Sequence, residues 1–299
     1  MILDQTPART PDAEVDIDAR LTAALLREQH PDLAQLPLQL ADSGFDNAMY
    51  RLGPELAVRL PRRTLAATLI VHEQSWLPLL AERLPLPIPV PVRVGVAGCG
   101  YPWRWSVVPW LQGTAADLSP LDASQAESLV HFLRALHVAA PADAPRNEFR
   151  GVPLSRRAAV VEERMHRLAS STSLITPAVR RLWEFALASD SNAVETWLHG
   201  DLHARNVLCT AGRMTGIVDW GDMCVGDRAT DLGCVWMLFD DLEARERVLS
   251  LYDADQATWA RARGWVVAIA LLLAGMHDPA EARHRAMGEK ALRNVLAGP

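Results

Sequence analysis

The chain has 299 residues, 49% hydrophobic and 22% charged, which gives it the apolar content of a buried core and excludes a disordered or low-complexity chain. Its net charge of -6 excludes the dense basic face that sequence-independent nucleic-acid binding requires. Cys99, Cys209, Cys224 and Cys234 form no CxxC pair, so neither a disulfide framework nor a zinc site is expected, and of the 30 basic residues only Lys290 is a lysine.

The first residues hold no basic segment followed by an apolar stretch, so a cytoplasmic protein is expected. Pro and strand-like residues concentrate before about residue 113 and amphipathic helical patterns follow, a shift that predicts two lobes. In the first, Leu38 to Leu40, Ala48 to Leu52 and Glu55 to Leu60 read as an antiparallel meander with turns at Asp42-Ser43-Gly44 and Gly53-Pro54. A helix from about Leu65 to Arg83 comes next, then strands near Val92 to Val96 and Trp105 to Val108. Helical patterns cover Leu121 to His137, Leu154 to Leu168 and Ala178 to Leu187. Val207 to Cys209 and Thr215 to Val218 read as a hairpin around Thr210 to Arg213. The longest apolar run, Trp265 to Met276, would make roughly 18 Å of helix against a hydrocarbon core of about 30 Å, and is expected to be a buried helix, with no membrane partner.

The densest chemistry lies in His199-Gly200-Asp201-Leu202-His203-Ala204-Arg205-Asn206, followed by Asp219 at the end of Gly216-Ile217-Val218-Asp219-Trp220. Taken singly these are a loop acid, a turn residue and a strand-end cap. Folding the intervening hairpin would bring Asn206 toward Asp219, and a carboxylate with an amide oxygen suits Mg²⁺, which keeps phosphate and water oxygens in its other positions. Asp201 then remains to accept a proton from an attacking hydroxyl. In the first lobe, Leu69, Glu73, Trp76, Leu77 and Leu80 share one helix face, with Glu73 its only acid. An unpaired carboxylate there would cost several kcal/mol, so Arg59 on the preceding strand is the expected partner, either as an ordinary ion pair or as a phosphate-orienting one.

The motif HGDxxxxN with IVDWGD resembles the aminoglycoside phosphotransferase branch of the protein kinase-like superfamily over nearly the whole chain. The resemblance implies an α+β, bilobal fold: an antiparallel-sheet nucleotide-binding lobe over residues 1–110 with one main helix, and a mostly helical catalytic and substrate-binding lobe over 111–299. It implies Asp201 as catalytic base, Asn206 and Asp219 as Mg²⁺ ligands, and His199 and Asp231 as supports of the catalytic loop. It also implies that Arg59, paired with Glu73, orients phosphates. Most kinases carry lysine there, whereas Val58-Arg59-Leu60-Pro61-Arg62 resembles macrolide phosphotransferase-like members.

By the same resemblance the loop Asp42 to Asn47, with Ser43, Gly44, Phe45 and Asn47, would meet the phosphates through backbone amides, although it holds one glycine where protein kinases have three. The connector amides of Val108 and Trp110 would meet the purine, Pro109 having none to give. Expected partners are ATP or GTP and a small-molecule hydroxyl acceptor: an antibiotic, with choline, homoserine or a sugar as alternatives and a non-catalytic module as a third. Acids at Asp222, Asp227, Asp240, Asp241 and Glu243 would suit a polycationic aminoglycoside or form a solvated face; Trp220, Trp236 and Phe239 would suit a macrolide.

Overall fold

A computed structural model describes residues 12–44, 46–189 and 194–298. The chain divides into two compact units, one of residues 12–112 with Gly216–Gly221, the other of 113–215 with 222–298.

The first unit opens with α1 (Ala19–Gln29), a helix the sequence reading did not place; Asp18 caps it by accepting the Leu21 amide at 2.7 Å. Strands β1 (Leu38–Ser43), β2 (Asn47–Leu52) and β3 (Leu56–Pro61) precede α2 (Thr64–Ala81), and β4 (Arg93–Gly95) and β5 (Trp105–Pro109) follow it. They form one antiparallel sheet in the order β1-β2-β3-β5-β4, with a bulge between Leu40 and Asp42. Every second residue of β2 is buried: Ala48, Tyr50 and Leu52 enter a core with Val58 and Leu60 of β3, Trp105 and Val107 of β5, and Leu25 and Leu26 of α1. Trp105 lies so close over β4 that a Cβ on Gly95 would sit 1.9 Å from the indole, and the ring nitrogen donates to the Val96 carbonyl at 3.1 Å. At the start of α2, Glu14 accepts from the Thr64 amide and hydroxyl at 3.1 and 2.7 Å, supplying the cap that Arg63 does not.

The second unit contains β6 (Thr114–Ala115), α3 (Ala126–Leu136), α4 (Ala158–Ala169), α5 (Pro177–Leu187), β7 (Glu195–Leu198), β8 (Val207–Thr210), all but the last two residues of β9 (Arg213–Ile217), β10 (Cys224–Asp227), α6 (Ala229–Leu232), α7 (Cys234–Leu238), α8 (Leu242–Leu251), α9 (Gln256–Ala274) and α10 (Ala282–Leu296). Two small sheets, β6-β8-β9 and β10-β7, lie among the helices. The expected starts of α3 and α4 wind first as 3₁₀ turns, Ala123–Gln125 and Leu154–Arg157. Helix α9 exceeds the twelve-residue apolar run because Asp255 caps it ten residues earlier, accepting the Thr258 amide at 2.7 Å. By length and composition it could cross a membrane, yet most of it is buried inside the unit. Helix α10 approaches it so closely that a Cβ on Gly288 would lie 2.6 Å from the Ala270 carbonyl and 2.7 Å from the Ala274 nitrogen.

Candidate active site

The loop after β7 is held from below by a buried carboxylate. Asp231 of α6 accepts the amides of His199 and Gly200 at 2.7 and 2.9 Å, which turns two consecutive N–H groups inward. His137, at the end of α3, lies 3.3 Å from the same carboxylate through Nε2, and its Nδ1 meets the Tyr252 hydroxyl at 2.7 Å. Gly200 stands at φ +85°, and a Cβ there would fall 2.3 Å from the Asp222 carbonyl, so only glycine fits. His199 Nδ1 accepts the Asp201 amide at 3.2 Å. His137 and Tyr252 thus extend the support beyond the motif, a role the sequence left unassigned because three separate chain segments meet there.

Both Asp201 oxygens are engaged. Arg150 Nη2 donates to Oδ1 at 3.0 Å; His203 Nε2 lies 3.2 Å from Oδ2, and Asn206 Nδ2 donates to the Asp201 carbonyl at 2.9 Å and to Oδ2 at 3.4 Å. Burial alone would push this carboxyl up, but the neighbouring His203 and Arg150 outweigh it and hold the carboxyl well below the usual aspartate range. Asp201 is therefore a carboxylate at any physiological pH. Arg150 also places Nε 3.4 Å from Asp222, whose other oxygen takes the Asn147 amide at 2.8 Å. No sequence motif marked Arg150: it lies 51 residues before Asp201 in a loop without periodicity.

In the first unit, the buried Arg59 of β3 donates to Glu73 of α2 at 2.7 Å, and its second nitrogen lies 3.5 Å from Asp219. Burial pushes Glu73 up to about 6 against the pull of Arg59, with Asp219 adding to the rise; the guanidinium, which burial would lower, is held above its ordinary value by Glu73 and Asp219. Asp219 has φ +61°, the left-handed region where Asp is tolerated better than most residues, and its side chain is more than half exposed.

The Asp42 to Asn47 loop is tied down around Gly44, whose amide donates to the Asn47 carbonyl at 3.1 Å and whose carbonyl accepts from Arg62. Arg63 binds Asp46 at 2.6 Å. Ser43 pairs with Ala48 at the end of β1, and Phe45 lies outside the described residues. Val108 sits in β5 opposite Ala57. The Trp110 amide donates to the Glu55 carbonyl at 2.7 Å, because the β3-β5 ladder continues one step past the strands.

Of the acids expected to attract an acceptor, Asp222 is held by Arg150 and Asn147, and three more are engaged elsewhere. Asp240 binds Lys290 at 2.7 Å and Asn294 at 3.1 Å, Asp241 caps α8 through the Ala244 amide at 2.7 Å, and Asp227 is buried against Arg261 at 2.6 Å. Trp220, Trp236 and Phe239 are core side chains, at most 1% exposed, and cannot line an acceptor surface. Among the described residues no three His, Cys, Asp or Glu side chains gather into a metal site, and all four cysteines are free.

Phosphoryl transfer asks little covalent chemistry of a protein: it needs an ionised carboxylate held rigidly for the attacking hydroxyl, and a fixed cation for phosphate oxygens. The Asp201 loop belongs to the mostly helical unit and the buried Arg59 to the antiparallel-sheet unit, the two-unit architecture of a kinase-like phosphotransferase. A model of the phosphotransferase enzyme family matches residues 37–265, and the chain belongs to that family. Its fold is similar to the GDP complex of aminoglycoside 2'-phosphotransferase-IIIa, at 17% identity and TM-score 0.68, covering 94% of this chain and 99% of that one. It is also similar to the streptomycin-ATP ternary complex of APH(2")-IIa (18%, TM-score 0.58, 85% and 90% covered). A third likeness is to macrolide 2'-phosphotransferase MphH from Brachybacterium faecium (21%, TM-score 0.56, 92% and 98% covered). No curated protein matches the chain by sequence.

Proposed function

We propose that this protein transfers the γ-phosphate of ATP or GTP to a hydroxyl of a small molecule, an antibiotic of the aminoglycoside or macrolide kind, in the cytoplasm. The observation that carries the reading is Asp201, an ionised carboxylate held at both oxygens on a loop braced by Asp231. In the transfer, the acceptor oxygen forms its bond to phosphorus, the bond to the departing diphosphate breaks, and the hydroxyl proton passes to Asp201. Held at both oxygens, the carboxylate would also orient the hydroxyl toward phosphorus.

Residues 1–110 would hold the nucleotide, and 111–299 the acceptor. Arg59, oriented by Glu73, would meet the phosphates, with the Ser43 to Asn47 loop beside them and the Val108 region serving the base. Asn206 and Asp219 would hold Mg²⁺: the Asp219 side chain is more than half exposed, and the Asn206 NH₂ is spent on Asp201, which leaves the amide oxygen as its ligating atom. When bound, Mg²⁺ would neutralise charge on the phosphate oxygens. The names of the structural neighbours support aminoglycoside and macrolide acceptors alike. The engagement of Asp222, Asp240 and Asp241 by Arg150, Lys290 and a helix cap means that binding a polycation would have to compete with those contacts.

The test is an ADP- or GDP-release assay with Mg²⁺ over aminoglycosides, macrolides, choline, homoserine and sugars, with products read by mass spectrometry. A phosphorylated antibiotic supports the reading, phosphorylation of a metabolite alone redirects it to metabolism, and no Mg²⁺-dependent product from any acceptor refutes transfer.

A further inference from the structure

We propose that Arg150 is a positioning residue for phosphoryl transfer, acting through Asp201 by fixing the plane of its carboxylate. The proposal rests on the reading of Asp201 as the group that receives the acceptor hydroxyl.

The backbone that carries the guanidinium is fixed, and the guanidinium meets two carboxylates. Its backbone is set by Asn147, whose side-chain oxygen accepts the Phe149 and Arg150 amides at 2.8 and 3.1 Å. The next residue is pinned to β10 and α6: the Gly151 carbonyl accepts the Asp227 amide at 3.0 Å, and its own amide donates to Thr230 Oγ1 at 3.2 Å. Gly226 and Gly151 pack backbone to backbone, since a Cβ on Gly226 would lie 2.5 Å from the Gly151 Cα. Asp222, itself held by Asn147 Nδ2 at 2.8 Å, then anchors Arg150 Nε at 3.4 Å and leaves Nη2 to reach Asp201. The same asparagine thus positions both the backbone and the counter-ion of Arg150.

The division of contacts on Asp201 gives this pairing its consequence. Arg150 takes Oδ1, while His203 and Asn206 lie on Oδ2. A carboxylate gripped at one oxygen can swing about its Cβ–Cγ bond; gripped at both, it cannot. Both side chains of the pair keep some exposure, 14% and 22%, so this is an ion pair at an accessible surface and not one sealed in a core. Removing the guanidinium frees Oδ1 and leaves Asp222 facing Asp201 without the cation between them, and displacements of about 1 Å at a reacting group cost on the order of 10²-fold in rate.

The experiment follows ADP release from Mg²⁺·ATP, with water as acceptor, for the wild type, Arg150→Ala, Arg150→Lys, Asp201→Asn and the Arg150→Ala/Asp201→Asn double variant. ATP affinity by calorimetry serves as the check that each is folded. The expected result is that Arg150→Ala lowers kcat by about 10- to 100-fold with KM for ATP within about twofold, and that Arg150→Lys recovers part of the loss. In the Asp201→Asn background Arg150→Ala should cost less than about threefold, because the group it acts through is gone. Full additivity of the two losses overturns the proposal while leaving Asp201 in its role. Near wild-type turnover of Asp201→Asn overturns both. If Arg150→Ala loses ATP binding, the comparison of Arg150→Lys in the two Asp201 backgrounds decides the same question.

Discussion

With its single lysine at position 290, the chain has only arginine to offer as the buried cation of β3, and the fork of Arg59 is shared between Glu73 and Asp219. Arg59→Ala strands Glu73, 1% exposed, in a low-dielectric site. It is expected to cost about 3 to 5 kcal/mol of stability and to weaken triphosphate binding, while Arg59→Lys restores part of the affinity. Adenosine affinity should hardly change in either. Calorimetry with ATP and adenosine checks this; equal losses for both ligands would make Arg59 a purely structural partner. At Asp219, whose side chain is more than half exposed, replacement by Ala should abolish the Mg²⁺-dependent tightening of ATP binding. Asp222→Ala should leave it, because Asp222 belongs to Arg150 and Asn147. Equal effects in titrations with and without Mg²⁺ would mean the wrong acid has been assigned.

The elements with a strong local period were legible in the sequence: the alternation of β2, the apolar face of α2, and the hairpin turn at Ala211-Gly212, both residues at positive φ. Those that depend on distant partners were not. β7 and β10 are four residues each and pair across 25 or more positions of chain, Leu198 with Cys224 at the nearest, so neither carries a signal of its own. The aromatics beside the motif misled for the same reason: Trp236 is packed against Trp259 and Arg263 of α9, a helix distant in sequence. Element packing also predicts a sensitive glycine. Gly288→Ala would drive a methyl into the α9 backbone at Ala270 and Ala274, where no flexible side chain can yield, and should destabilise the protein by about 2 kcal/mol despite the better helix propensity of alanine. An unchanged urea midpoint would contradict the tight α9–α10 packing.

For the whole molecule, a linear cut near residue 110 misses one feature of the division into units: Gly216–Gly221 returns to the first, where the Ile217 amide donates to the Pro87 carbonyl at 3.0 Å and Asp219 reaches Arg59. Asp201, Asn206, Asp219 and Asp231 could be singled out as candidates because they stand close together along one stretch of chain. Arg150, His137 and Tyr252 could not, because only the folded chain brings them to the loop. The central claim is that a carboxylate fixed on this loop receives the acceptor hydroxyl. Its most direct test is the turnover of Asp201→Asn, measured by Mg²⁺·ATP-dependent ADP release alongside ATP affinity. Turnover should fall by roughly 10² to 10⁴ with folding and ATP binding retained; turnover near that of the wild type would contradict it.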